Sequence, residues 1–232
     1  MLFSPQLPLQ LEPHRDRRFE DFVAGPNAAA LAALERVPGQ GECSLFLHGA
    51  SGTGKTHLLR ALCLATRDAG QTAFYVGLGR LPDEALGSLR DLEGLDVICV
   101  DDLHRVIGRL PWEEALFHCF NRVRAVGGRL VVASRERRSA LSFALPDLAS
   151  RLGWGLSFHL APLPDADKRE VLRRHAELLG IDLPVPVQDY LLKHGHRNLG
   201  RLLLALERLQ QAAFADKRRI TVPLARRVLN EA

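Results

Sequence analysis

The sequence has no apolar stretch approaching the roughly 18–20 residues that span a bilayer, which argues against a membrane protein. It has no C-x-x-C pair. Cys43, Cys63, Cys99 and Cys119 are widely spaced, which argues against a zinc site. Each lies in an apolar run and reads as a reduced core thiol, in keeping with a cytoplasmic protein. The start, Met1-Leu2-Phe3-Ser4-Pro5, lacks the basic segment and long apolar run of a secretory signal. There is no internal repeat and no low-complexity segment. Strong charge of one sign is also missing: the net charge is +4, which permits a nucleic-acid partner without arguing for one.

What is there describes a globular chain. The sequence has 232 residues, of which 47% are hydrophobic and 25% charged, enough for one sizeable core and a smaller appended unit. Residues 1–18 hold three prolines and the cluster His14-Arg15-Asp16-Arg17-Arg18, and read as a tail. Residues 28–37 are helix-like. Strand patterns follow at 44–48, 72–76, 96–100, 129–133 and 156–160, with helical patterns at 56–69 and 112–126 between them. Strands alternating with helices imply a parallel sheet flanked by helices. From about Pro162 only helical periodicity remains, at 165–179, 187–194, 199–215 and 222–230. The expected organisation is a tail (1–18), an α/β nucleotide-binding domain (19–161) and a small all-helical domain (162–232).

The sharpest motif is Gly49-Ala50-Ser51-Gly52-Thr53-Gly54-Lys55-Thr56, a G-x-x-x-x-G-K-[ST] loop between a strand and a helix. Its glycines let backbone N–H groups face a phosphate chain, at the positive end of the following helix. In such a loop the lysine, Lys55, reaches the β- and γ-phosphates, and the hydroxyl of Thr56 holds Mg²⁺. Asp101-Asp102 ends the strand pattern at 96–100. Asp101 is the expected second Mg²⁺ group, and Asp102 is placed to orient an attacking water. Ser134 closes another strand pattern, where it could touch the γ-phosphate or serve as a plain loop serine. His194 and His196 are read on different sides of one helix, so no metal site is proposed from them. The arginine pairs 173–174, 218–219 and 226–227 read as solvated helix faces.

Together the glycine loop, the acidic pair and the trailing helices resemble the AAA+ ATPases, and more narrowly the bacterial replication initiator DnaA. Phe19 to Asn27 is similar to the segment that opens that ATPase domain beside the adenine, which implies nucleotide contacts for Phe22 and Val23, with His57 just beyond the loop. Glu113 to Asn121 also resembles the initiator. Ser150-Arg151-Leu152-Gly153-Trp154-Gly155 matches the initiator's segment that carries an arginine finger. The chain ends before a DNA-reading helix-turn-helix could fit, so no direct sequence-specific DNA binding is expected. The likeness is closer to the Hda group of DnaA-related regulators, through 145–152, 163–168 and 217–223. The lid arginine of the family has Gly200 in its place. Arg201 is adjacent and Arg197 lies three residues back, and Arg201 is taken as the candidate. Gln6-Leu7-Pro8-Leu9-Gln10-Leu11 is similar to the peptides that dock on the DNA sliding clamp, which implies clamp contacts for Gln6, Leu7, Leu9 and Leu11.

The resemblance implies ADP or ATP with Mg²⁺ as ligands. It implies a DnaA-type initiator and the DNA polymerase III sliding clamp as partners, with homodimerisation left open. The function expected is negative regulation of replication initiation: Arg151, supplied in trans, promotes hydrolysis of the initiator's ATP, while hydrolysis by the chain alone is weak. The alternatives are an ATPase of the helicase-loader kind and a nucleotide-dependent adaptor without a catalytic role.

Overall fold

A computed structural model describes residues 18–39, 43–90, 92, 94–216 and 218–230. Five strands, β1 (Ser44–His48), β2 (Ala73–Gly77), β3 (Val97–Asp101), β4 (Arg129–Ser134) and β5 (Leu156–His159), form one parallel sheet in the order β2-β3-β4-β1-β5. The central strands read as near-continuous apolar runs because both their faces are covered. Strand alternation then divides their side chains between two cores. Leu45, Leu47, Cys99, Val131 and Ala133 meet Leu58, Leu59 and Leu62 of α2 (Lys55–Asp68), with Leu34 of α1 (Ala28–Glu35) beside them. Phe46, Ile98, Val100, Leu130 and Val132 point the other way, onto Trp112, Leu116 and Phe120 of α3 (Leu110–Ala125). Leu148 of α4 (Pro146–Arg151) joins that second core.

The chain then becomes wholly helical: α5 (Asp165–Leu178), α6 (Val185–His194), α7 (Leu199–Ala215) and α8 (Val222–Asn230). Leu172, Leu191, Leu202, Leu206, Leu209 and Ala225 give this unit a core of its own. Two ties reach from the sheet-to-lid region to the segment before α1. Asn27, 2% exposed, donates from Nδ2 to the Ala161 carbonyl at 3.1 Å and accepts from the Ala161 N–H at 2.8 Å. Arg174 of α5 donates to the Glu20 carbonyl at 3.0 Å.

The parallel sheet with its trailing helical unit is the architecture expected from the sequence. Several details differ. The short α4 was not foreseen, because six residues hold too little of a 3.6-residue period to register. Helix α3 starts two residues early, since Pro111 in the first turn forfeits no intrahelical bond. Cys43 is exposed, while the other three cysteines are buried. His196 lies beyond the end of α6, and Arg218-Arg219 lie between α7 and α8 and not on a helix face. Among the described residues no helix is long and apolar enough to cross a membrane.

Candidate functional site

The glycine loop spans the gap between β1 and α2, at the C-terminal edge of the sheet. Gly52 and Gly54 adopt φ of 84° and 95°, and both are closely overlaid. A Cβ on Gly52 would lie 2.6 Å from Asn198 Oδ1, and one on Gly54 would lie 2.6 Å from Phe22 Cε2. Only glycine meets both demands cheaply. The loop is therefore gripped by the lid on one side and by the N-terminal segment on the other. Asn198 caps α7, accepting from the Arg201 N–H at 3.1 Å, and also donates to the Ser51 carbonyl at 2.7 Å. Phe22 stands 5.5 Å from the His57 ring, whose Nε2 is 2.9 Å from the Arg18 carbonyl.

Three side chains of the loop, Thr53, Lys55 and Thr56, find partners in the site itself. Lys55 is 8% exposed and donates to the carbonyls of Gly49 (2.6 Å) and Ala50 (2.9 Å). Burial lowers its pKa from the usual lysine value, and the carboxylates of Asp101 and Asp102 pull against that shift. Thr53 donates from Oγ1 to the Ala50 carbonyl at 3.0 Å. Thr56 donates from Oγ1 to Asp101 Oδ2 at 2.6 Å, and Tyr75 donates to the same oxygen at 3.0 Å. Burial, then the neighbouring Asp101 charge, push the Tyr75 phenol well above its ordinary pKa, so it stays a donor. Asp101 Oδ1 accepts the Asp102 N–H at 2.8 Å.

A hydroxyl and a carboxylate in direct contact are hard oxygen donors of the kind Mg²⁺ accepts, and Thr56 with Asp101 supplies that pair. Asp102 is the one non-glycine described residue at positive φ, 57°. Its carboxylate presses on Gly79, where a Cβ would come within 2.8 Å. Strain of this kind concentrates at functional sites. Ser134 ends β4 in register with His48, one residue before the loop. It is fully buried, and its hydroxyl has no partner among the described residues. The His48 and His159 rings lie 5.1 Å apart, tilted by 36°; burial first, then His159, Arg137 and Lys55, lower the His48 pKa.

The other candidates fall elsewhere. Val23 is half-buried beside Phe22 in sequence. Arg201 is exposed, and its side chain makes no hydrogen bond or ion pair among the described residues; the lid reaches the loop through Asn198 instead. Arg151 is the last residue of α4, and none of its contacts is with the loop. Its guanidinium carbon lies 4.0 Å from the Trp154 ring centroid and 5.9 Å from that of Phe117. Gln6, Leu7, Leu9 and Leu11 lie outside the described residues.

Glu113 holds the segment that leads into α4. It is fully buried on α3 and accepts the N–H groups of Gly108 (2.6 Å), Ala144 (3.1 Å) and Leu145 (2.7 Å). Arg138 adds a bond to the Ala149 carbonyl at 3.0 Å. Sequence reasoning missed Glu113, Asn198 and Tyr75 as site-building residues, because their partners lie up to 147 residues away.

Known proteins match this arrangement. The sequence model of the bacterial DnaA ATPase domain covers residues 14–159, and that of the Hda lid domain covers 165–229. Domain III of the Thermotoga maritima replication initiation protein DnaA is similar over 98% of both chains, at 27% identity and a TM-score of 0.82. AMPPCP-bound DnaA from Aquifex aeolicus is similar over 86% of this chain and 67% of its own, at 20% identity and a TM-score of 0.73. The RuvB Holliday junction branch migration motor of Thermotoga maritima shares the fold over 93% of this chain and 72% of its own, at 19% identity and a TM-score of 0.70. The chain belongs to the bacterial DnaA ATPase-domain family of AAA+ proteins and carries an Hda-type lid.

Proposed function

We propose that the chain binds ADP or ATP with Mg²⁺ and acts in the cytoplasm as a negative regulator of replication initiation, promoting hydrolysis of ATP held by a DnaA-type initiator. The observation that carries this reading is a separation. The chain has a P-loop site knit within itself, and an arginine, Arg151, on another face without a carboxylate partner among the described residues.

In this reading Lys55 leaves the Gly49 and Ala50 carbonyls to meet phosphate oxygens, and the loop N–H groups donate to the same chain of phosphates. Mg²⁺ would neutralise phosphate charge, held by Thr56 and by Asp101. Phe22, Val23 and His57 face the base side, and Ser134 offers its buried hydroxyl to the terminal phosphate. Asp102 orients water for a slow hydrolysis by the chain itself. Asn198 fastens the lid to the loop, so nucleotide and lid order together, and Arg201 lies one turn further along α7. Nucleotide binding then steadies the fold that presents Arg151. A trans arginine stabilises charge developing on a transferred phosphoryl group and is worth about 10³–10⁵-fold in rate. Gln6, Leu7, Leu9 and Leu11 would dock the chain on a DNA-loaded sliding clamp, raising its effective concentration near the initiator.

The test is hydrolysis of initiator-bound ATP in the presence of clamp-loaded DNA, with wild type, Arg151→Ala and Gln6→Ala. Stimulation by wild type that both variants lose supports the reading. Full stimulation by Arg151→Ala removes the trans arginine and leaves a nucleotide-dependent adaptor. Robust hydrolysis by the chain alone favours a loader-like ATPase.

A further inference from the structure

Trp154 is 50% exposed, although a large aromatic ring in a folding core would be covered. Two guanidiniums lie over it: Arg151 at 4.0 Å and Arg124 at 4.3 Å from the ring centroid. Phe120 meets the indole edge-on at 6.4 Å and braces it from the α3 side. Neither arginine has an ion pair among the described residues. Tryptophan offers the most favourable face for a cation, and arginine stacks on it through the flat of its guanidinium. Stacking leaves the in-plane N–H donors free, whereas a carboxylate partner would consume them. A flexible arginine held in this way keeps both its charge and its donors, which is what a phosphoryl group elsewhere would require.

We propose that Trp154 is a positioning residue that holds Arg151 flat, with its N–H donors unspent, for the nucleoside triphosphate of a partner. Arg124, crowding the same ring, adds a second positive charge that an arriving anion relieves. The proposal rests on the reading that Arg151 acts in trans.

The test is single-turnover hydrolysis of ATP bound to an initiator-type partner, measured against concentration of this chain, for wild type, W154L, W154F and R151A. W154L keeps an apolar side chain but no ring face. It is expected to lower the saturating rate about tenfold, the equivalent of about 1.4 kcal/mol. Its half-saturating concentration and its own nucleotide affinity should change less than about threefold, and W154F should recover most of the rate, because a ring face suffices. R151A without activity beside W154L at full rate overturns the positioning role and spares the trans arginine. R151A at full rate overturns both. The positioning role also falls if W154F is as slow as W154L, if W154L loses only half-saturation, or if W154L loses nucleotide affinity as well as rate.

Discussion

At the P-loop Thr53, Lys55, Thr56 and Asp101 have side-chain partners within the chain, whereas at the end of α4 Arg151 and Arg124 share one indole and meet no carboxylate among the described residues. Beside the loop, at the end of β4, the buried hydroxyl of Ser134 has no partner among the described residues. The two regions also differ in cover. Lys55 and Asp101 are buried, but Trp154 stands half in solvent. A site whose groups close on one another can stand alone and open for a ligand. In the proposed reading the pair of cations on an exposed ring is one half of a site, and its other half carries negative charge.

That contrast can be broken at each end. The largest effect is expected at the loop: Lys55→Ala should weaken binding of a fluorescent ADP analogue by about 100-fold, since hydrogen bonds to charged groups are worth about 1.5–3 kcal/mol. The fold should survive, because only the Gly49 and Ala50 carbonyls lose a donor. Next comes Glu113→Leu, which strips three part-buried N–H groups of the buried carboxylate that accepts them. About 3 kcal/mol of stability should be lost in urea unfolding, from the desolvation cost of the orphaned donors. Nucleotide affinity should hold in the surviving folded protein, because the damage falls on the approach to α4.

Asn198→Ala removes both a helix cap and the lid's bond to Ser51. About 1 kcal/mol of stability should go with the cap, and nucleotide affinity should fall about fivefold, as one hydrogen bond predicts. The smallest effect concerns pH. The His48 pKa is lowered in the folded chain, so between that value and about 6.5 the unfolded chain binds more protons, and stability rises with pH across this window. Acidification from neutrality through the window should lower the melting temperature, and His48→Gln should flatten that decline. An unchanged slope in the variant would show that the half-buried imidazole is not its source.

Much of the nucleotide site was legible in the sequence because its signal is local. The glycine spacing, Lys55 and Thr56 sit in one continuous stretch, and Asp101 ends an apolar run that announces its strand. The family likeness also carried the reading to Arg151. The elements that aim these groups were not legible. Asn198 meets Ser51, Glu113 meets Leu145 and Tyr75 meets Asp101 only after folding, and none of the three stands in a pattern that names its partner. Arg201 is legible only through its closeness to a family position, while Asn198, which touches the loop where the helix begins, carries no sequence signal of that contact. Helix α4 was invisible for want of length, although it carries Arg151 at its end.

The most direct test of the account is to separate the two regions in one assay, following ATP hydrolysis on the initiator with Lys55→Ala and Arg151→Ala compared side by side. The account predicts that Arg151→Ala keeps its own nucleotide affinity and loses stimulation by about 10³-fold, as expected for a trans arginine. Lys55→Ala should lose nucleotide affinity, and its remaining stimulation should recover as nucleotide concentration is raised. Stimulation by Arg151→Ala equal to wild type would contradict the account, whatever Lys55→Ala does.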